Sequence, residues 1–125
     1  MKIFLLEDEI MLKESIQEYL EAIGHQVISC MDGEEAMAML GEENFDLFIL
    51  DINVPGVDGL TLLERLHTQK IHTPAIYISA LVDIEDISRA YDLGCYDYLK
   101  KPFSFERFCK AYYRAEELFL LKKQN

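Results

Sequence analysis

Two short apolar runs in the sequence are each followed at once by acidic residues. Residues 3–6 lead into Glu7 and Asp8, and residues 47–50 lead into Asp51. Parallel strands deliver the residues at their carboxyl ends to one edge of a sheet, which is where open α/β sheets bind their ligands. Runs this apolar are typical of parallel strands that are covered on both faces. The pattern therefore predicts an α/β fold with carboxylates clustered at one edge of its sheet.

The clustered carboxylates indicate a metal site. Two carboxylates about 4 Å apart repel each other by roughly 4 kcal/mol at an effective dielectric constant of about 20. A hard divalent cation removes this cost, and a set of oxygen ligands selects Mg²⁺ or a relative. Glu7, Asp8 and Asp51 are therefore predicted to form a metal-dependent acidic site.

Strand-like and helix-like segments alternate along the chain. Apolar residues recur with helical spacing in the first helical segment, and Gly24, Gly41 and Gly94 mark helix ends. The predicted strands cover residues 2–6, 26–30, 46–50, 75–79 and 96–99, and the predicted helices cover residues 10–23, 34–40, 59–67, 84–93 and 105–122. Five such βα units predict one domain over residues 1–125, with a parallel sheet that is doubly wound by helices on both faces.

The amino-acid composition limits the kinds of molecule that the protein is expected to bind. The formal net charge of −11 argues against direct contact with nucleic acid or an anionic membrane, since both need a basic surface. Cys30, Cys95 and Cys109 lack the spacing of a metal site. The sequence has no apolar run of transmembrane length and no evident signal peptide. We therefore expect a cytoplasmic protein with reduced thiols and without membrane contact.

The remaining strand ends add a hydroxyl and an ammonium to the same predicted edge. Ser79 ends the fourth predicted strand, and Lys101 follows the fifth, directly before Pro102. With these residues in place, the chain resembles a CheY-like receiver domain of the response regulators of two-component signalling, over essentially its whole length. The segments that carry the resemblance are FLLEDE at residues 4–9, DLFILD at 46–51, PGVDG at 55–59, ISA at 78–80 and YLKKPF at 98–103. The resemblance implies a flavodoxin-like strand order, 2-1-3-4-5.

The resemblance also implies a phosphoacceptor and the ligands of its metal. Asp51 would take a phosphoryl group from a sensor histidine kinase or a phosphotransfer protein. Mg²⁺ would be held by Asp8, Asp51 and the backbone carbonyl of Asn53, with Glu7 acting partly through water.

Further residues receive roles in holding and sensing the phosphoryl group. By the resemblance, Ser79 hydrogen-bonds its oxygens, Lys101 pairs with its charge, Tyr98 is the switch aromatic, and a cis peptide bond precedes Pro102. A carboxylate attacks a charged phosphoryl group only if their repulsion is neutralised, which a metal and an ammonium can do. Ser79 donates to a phosphoryl oxygen only after one exists, so its movement can make an adjoining aromatic bistable. Apolar Leu81 is expected to shield the group from water.

Two other classes of protein with related folds were weighed. A Mg²⁺-dependent aspartyl-phosphate phosphohydrolase of the haloacid dehalogenase type needs a second aspartate two residues after the first, where this chain has Asn53. A flavodoxin-like FMN carrier needs a phosphate loop after the first strand, where Glu7, Asp8 and Glu9 would repel phosphate. Both alternatives are less favoured than a switch protein that catalyses only its own phosphorylation and dephosphorylation.

The last helix and its neighbours predict an output surface. The predicted buried stripe of this helix consists of Phe105, Phe108, Cys109, Tyr112, Ala115 and Phe119. Leu118 and at least one of Leu120 and Leu121 then lie outside the stripe, and the resemblance puts Tyr98 nearby. Exposed apolar groups on one face usually mark an interface. We therefore expect the face of the fourth helix, fifth strand and fifth helix to pair with a second copy or a partner.

Overall fold

The computed structural model describes residues 1–80 and 84–124, in which strands and helices alternate strictly. The elements are β1 (Lys2–Leu6), α1 (Ile10–Ala22), β2 (Gln26–Cys30), α2 (Gly33–Leu40), β3 (Leu47–Asp51), α3 (Gly59–Thr68), β4 (Ala75–Ser79), α4 (Ile84–Asp92), β5 (Cys95–Lys100) and α5 (Phe105–Lys123). Leu81, for which shielding of the phosphoryl group was expected, lies outside the described residues.

The five strands form one parallel sheet in the order β2-β1-β3-β4-β5. From β1 the chain first moves outward to β2 and then returns to β3 on the other side of β1. The connections that follow β1 and β3 therefore diverge, which opens a crevice at the carboxyl ends of these two strands. The predicted fold class and the strand order are confirmed.

The predicted elements match the structure except at some boundaries. The prediction ended the third strand at residue 50, but β3 includes Asp51, because Asp51 still pairs with Ile78 of β4. α4 ends at Asp92 and β5 begins at Cys95, each one residue earlier than predicted. Among these differences, the position of Asp51 matters most for the predicted acidic site, because a residue inside a central strand has a fixed backbone.

The hydrophobic core lies in two layers, one on each face of the sheet. Alternate residues of β3 serve the two layers: Phe48 and Leu50 pack beneath α2, α3 and α4, whereas Leu47 and Ile49 pack beneath α1 and α5. Both faces are thus covered, which explains why the strands read as unbroken apolar runs. None of the helices within residues 1–80 and 84–124 combines the length and the apolar character needed to cross a bilayer.

α5 buries a narrower stripe than predicted. Of the predicted stripe, Phe108, Tyr112 and Ala115 are buried, whereas Cys109 and Phe119 are half-buried. Ala111, which the prediction left out of the stripe, is also buried. The prediction was wrong for Phe105, which is 60% exposed. Phe105 belongs to the first turn, directly after the N-cap Ser104, and its ring packs edge-on against Tyr19.

Two buried tyrosines differ in how their hydroxyls are satisfied. Tyr77 of β4 is completely buried, and its hydroxyl finds no hydrogen-bond partner among the described residues. The hydroxyl of Tyr112, also completely buried, donates to Glu116 Oε2 at 2.5 Å and contacts the His25 ring. A buried polar group without a partner carries the full cost of its desolvation, whereas a hydrogen bond to a charged group stabilises the fold.

We therefore expect opposite effects from removing the two hydroxyls. Tyr77→Phe should raise the free energy of unfolding by about 1 kcal/mol, and Tyr112→Phe should lower it by roughly 1–3 kcal/mol. Urea unfolding of both variants and of the unaltered protein measures the difference. Loss of stability in Tyr77→Phe would contradict the unsatisfied hydroxyl.

Candidate functional site

The predicted acidic residues meet at the carboxyl ends of β1 and β3. Leu6 of β1 lies opposite Leu50 of β3, so Glu7 and Asp51 are the next residues on adjacent strands. Oxygen atoms of Glu7, Asp8 and Asp51 lie within 4.8 Å of one another. Glu7 and Asp51 are almost completely buried. The structure therefore brings together all three carboxylates that the sequence predicted to form one cluster.

The loop after β3 is held close to this cluster. The backbone N–H of Asn53 donates to Asp51 Oδ1 at 2.9 Å. α3 begins with Gly59, where a Cβ atom would stand 2.8 Å from the backbone oxygen of Asp51. That distance is closer than side chains tolerate, so glycine is required for the approach of α3 to β3.

Lys101 reaches the cluster from β5. Its backbone N–H donates to the Ser79 carbonyl at 2.7 Å, and the peptide bond to Pro102 is cis, as the resemblance implied. Its Nζ atom lies 2.6 Å from Glu7 Oε1 and 2.8 Å from Asp51 Oδ2. A third carboxylate, Glu9 Oε1, is 3.5 Å away. One ammonium is therefore shared among three carboxylates.

Burial and the neighbouring charged groups shift the pKa values of the side chains in this cluster. Burial, followed by a hydrogen bond with Asp51, raises the pKa of Glu7 to about 8, although Lys101 acts in the opposite direction. Burial alone would lower the pKa of Lys101, but hydrogen bonds to Asp51 and Glu7 outweigh it and raise that pKa. Glu7 Oε1 is held by its ion pair with Nζ, and Glu7 Oε2 accepts a hydrogen bond from the backbone N–H of Asp8 at 3.0 Å. The single ammonium therefore does not fully compensate the carboxylates.

Ser79, Asn53 and Tyr98 border the same cluster. Ser79 is completely buried at the end of β4, and the Asn53 side-chain amide donates to its Oγ at 3.3 Å. Tyr98 of β5 is half-buried. Burial raises the pKa of the Tyr98 phenol, while a hydrogen bond with the Ser79 side chain lowers it. The predicted switch pair, Ser79 and Tyr98, is thus in direct contact.

The donor set fits a hard divalent cation. Three carboxylates converge beside the backbone of Asn53, and all the available ligand atoms are oxygens, which Mg²⁺ prefers. Cations with a preference for sulfur or nitrogen find no ligand here, because the cluster contains neither cysteine nor histidine. The surplus of negative charge around Lys101 gives such a cation a physical reason to bind.

Comparison with known proteins decides the family. The family described as the response regulator receiver domain matches residues 3–113 of the chain. The chain belongs to this family. The receiver domain is 44% identical to the transcriptional regulatory protein CrdR of Helicobacter pylori over 106 residues, which are 84% of this chain and 50% of CrdR. It is 38% identical to the transcriptional regulatory protein HprR of Escherichia coli over 84% of this chain and 47% of HprR. The chain thus spans about half the length of these relatives.

Solved structures give the same assignment. The receiver domain of the Francisella response regulator 1452 superposes with a TM-score of 0.83 at 31% identity, covering 99% of this chain and 98% of that one. The non-phosphorylated receiver domain of HemR from Leptospira biflexa superposes with a TM-score of 0.85 at 27% identity, covering 91% and 92% of the two chains. This membership does not favour the phosphohydrolase alternative, which also lacks its second aspartate because an amide stands at Asn53.

Of the three described carboxylates that contact Lys101, Glu9 is the one to which the sequence assigned no task. It was noted as part of the motif at residues 4–9 and as a charge that would repel phosphate in an FMN carrier. The available signal was its place next to Glu7 and Asp8, directly after β1. That signal did not indicate Lys101, because Lys101 follows the edge strand β5 and reaches Glu9 across the carboxyl edge of the sheet.

Proposed function

We propose that this receiver domain is a phosphorylation-controlled switch in two-component signalling, with Asp51 as the phosphoacceptor. The observation that carries the proposal is the sharing of Lys101 between Asp51 and Glu7 at the carboxyl edge of the sheet. The phosphodonor is proposed to be a sensor histidine kinase or a phosphotransfer protein, because the family to which the chain belongs works with such donors. The receiver domain is proposed to comprise residues 1–125 and to act in the cytoplasm.

The proposed reaction is a transfer between two nucleophiles. A lone pair on an Asp51 carboxylate oxygen forms the new O–P bond while the P–N bond of the phosphohistidine breaks, and the electron pair of that bond remains on the histidine nitrogen. Lys101 offsets the repulsion between the carboxylate and the incoming phosphoryl oxygens. The Ser79 hydroxyl can donate a hydrogen bond to one of those oxygens once the phosphoryl group is attached to Asp51.

Mg²⁺ is the proposed cofactor. Asp8, Asp51, Glu7 and the backbone carbonyl of Asn53 would hold it, and when bound it supplies positive charge against the phosphoryl oxygens in the transition state. The chain's own contribution is to keep these oxygens converged on a rigid strand end, where the transferring group and Lys101 meet.

The phosphoacceptor assignment predicts one labelled residue. The protein incubated with acetyl phosphate and Mg²⁺ should gain the mass of one phosphoryl group, because Asp51 lies within a central strand and contacts Lys101 at 2.8 Å. Asp51→Asn should gain none, and omission of Mg²⁺ should prevent labelling of the unaltered protein. Intact-mass spectrometry decides the matter, and equal labelling of Asp51→Asn would refute the assignment.

The signal is proposed to leave the site through Ser79 and Tyr98. When Ser79 turns toward a phosphoryl oxygen, its hydrogen bond with Tyr98 is replaced, so the aromatic ring is free to adopt another position. The adjoining surface consists of α4, β5 and α5, which we call the output face. Asp97 of β5 and Arg107 of α5 form a two-point ion pair at 2.8 and 3.0 Å, so these elements are joined within the face.

The output face is proposed to bind a second copy of the chain. Ile84 and Tyr91 of α4 are 81% and 52% exposed and stand seven residues apart, hence on one side of the helix. Leu120 and Leu121 at the end of α5 are also exposed, whereas Leu118 is half-buried. The relatives named above are called transcriptional regulators, so control of transcription is the proposed output, without direct contact between this acidic domain and DNA.

Self-association should therefore depend on the phosphorylated state and on α4. Beryllofluoride, a phosphoryl mimic, should strengthen dimerisation by about 1–3 kcal/mol, the usual size of such couplings. Ile84→Glu should remove this gain, because a charge would be placed inside an apolar contact. Sedimentation velocity at several concentrations measures the association.

Met11→Glu provides the matched control, since Met11 is 82% exposed in the first turn of α1, outside the output face. It should dimerise like the unaltered protein. A protein that stays monomeric with beryllofluoride, or equal effects of the two substitutions, would contradict the proposed face.

A further inference from the structure

Glu9 stands in an unusual place for a glutamate. It is the N-cap residue of α1, yet its side chain makes no capping hydrogen bond to the helix. Serine, threonine, aspartate and asparagine are the residues that stabilise this position. The Glu9 carboxylate instead lies 3.5 Å from Lys101 Nζ and is 62% exposed. Its identity is therefore not explained by the stability of α1.

The carboxylate stands at the mouth of the phosphoacceptor site. One cavity of about 210 Å³ holds Glu9 together with Asp8, Asp51, Asn53 and Lys101. A second, mostly apolar cavity of about 380 Å³ lies beside it and is lined by Glu9, Leu12, Ala80, Lys101, Pro102 and Phe103. Glu9, Ala80 and Lys101 line both cavities.

Glu9 adds a further carboxylate beside Lys101, at 3.5 Å from an ammonium that already contacts Glu7 and Asp51 at 2.6 and 2.8 Å. Its carboxylate does not belong to the cluster of Glu7, Asp8 and Asp51. A bound divalent cation and Lys101 would together carry three positive charges, which equals the negative charge of those three carboxylates when all of them are ionised. The negative charge of Glu9 then faces an incoming phosphodonor, with partial screening by solvent because the side chain is exposed.

We propose that Glu9 is a specificity-determining residue of the phosphorylation reaction. It disfavours free dianionic phosphodonors and favours a protein donor that places a lysine or arginine beside its phosphohistidine. This inference rests on the proposed function of Asp51. The cation of the donor would pair with Glu9 while the phosphoryl group reaches Lys101 and Asp51, so charge complementarity selects the donor.

The first test compares two small phosphodonors of different charge. At neutral pH acetyl phosphate is a dianion, whereas phosphoramidate is mainly a monoanion. Glu9→Gln should raise the rate constant of phosphorylation by acetyl phosphate roughly three- to tenfold, from the size of a screened charge interaction at this range. The gain with phosphoramidate should be about the square root of that factor, because the interaction energy is proportional to the charge of the donor.

Two controls distinguish a role of Glu9 in selecting the donor from a role in positioning Lys101 or in binding the metal. Glu14→Gln removes the same charge from an exposed position of the same helix and should change either rate less than about twofold. Each variant is assayed at a saturating Mg²⁺ concentration determined for that variant by calorimetry. A Glu9 that only positions Lys101 would change the rates with both donors by one factor, and that result overturns the proposal.

The second test concerns the donor's cation. Two synthetic phosphohistidine peptides serve as probes, one with lysines and one with alanines on both sides of the phosphohistidine. The unaltered protein should react faster with the lysine peptide, and Glu9→Gln should reduce this preference several-fold more than Glu14→Gln does. An equal preference in Glu9→Gln and the unaltered protein refutes the inference, although labelling at Asp51 would still support the proposed function. If the unaltered protein takes no phosphoryl group at all, both proposals fail.

Discussion

The site depends on one electrostatic constraint, the crowding of carboxylates at the carboxyl edge of a parallel sheet. The register of β1 and β3 fixes this crowding. Leu6 and Leu50 are paired, so the residues that follow them, Glu7 and Asp51, must be neighbours. Lys101, delivered by β5, offsets part of the repulsion through contacts of 2.6 and 2.8 Å. Burial, followed by the hydrogen bond with Asp51, raises the pKa of Glu7, and the opposing effect of Lys101 does not cancel this rise. Any further positive charge that binds therefore stabilises the site.

The same constraint explains how a small chemical change could alter a distant surface. A phosphoryl group on Asp51 would compete with the carboxylates for Lys101 and would give the Ser79 hydroxyl a new acceptor. Ser79 is completely buried and in contact with Tyr98, so it cannot turn without changing the environment of that ring. Tyr98 belongs to β5, which the ion pair between Asp97 and Arg107 joins to α5. The proposed route therefore runs from Asp51 through Ser79 to Tyr98 of the output face and consists of described residues.

The sequence predicted the fold and the cluster because both follow from short-range rules. Unbroken apolar runs indicated parallel strands covered on both faces, and polar residues at their ends had to meet at one edge. Other features depend on details that such rules do not contain. The contact between Glu9 and Lys101 depends on side-chain conformation and on the place of Lys101 after the edge strand β5. Phe105 has the spacing of a buried residue, but the first turn of α5 leaves its ring covered on one side by Tyr19 and otherwise exposed. The unsatisfied hydroxyl of Tyr77 is visible only once its neighbours in the core are placed.

The most direct measurement is the free energy of unfolding without metal at pH 9, where the side chain of Glu7 is ionised. If the carboxylates repel one another and Lys101 restrains them, Asp8→Asn should be more stable than the unaltered protein by roughly 1 kcal/mol. Lys101→Met should be less stable by about 2–4 kcal/mol, because it leaves buried charge without a partner. Glu14→Gln and Lys100→Met, which alter the same charges at exposed positions, should change stability by less than about 0.5 kcal/mol. A loss of stability in Asp8→Asn, or equal stability of Lys101→Met and Lys100→Met, would contradict the account.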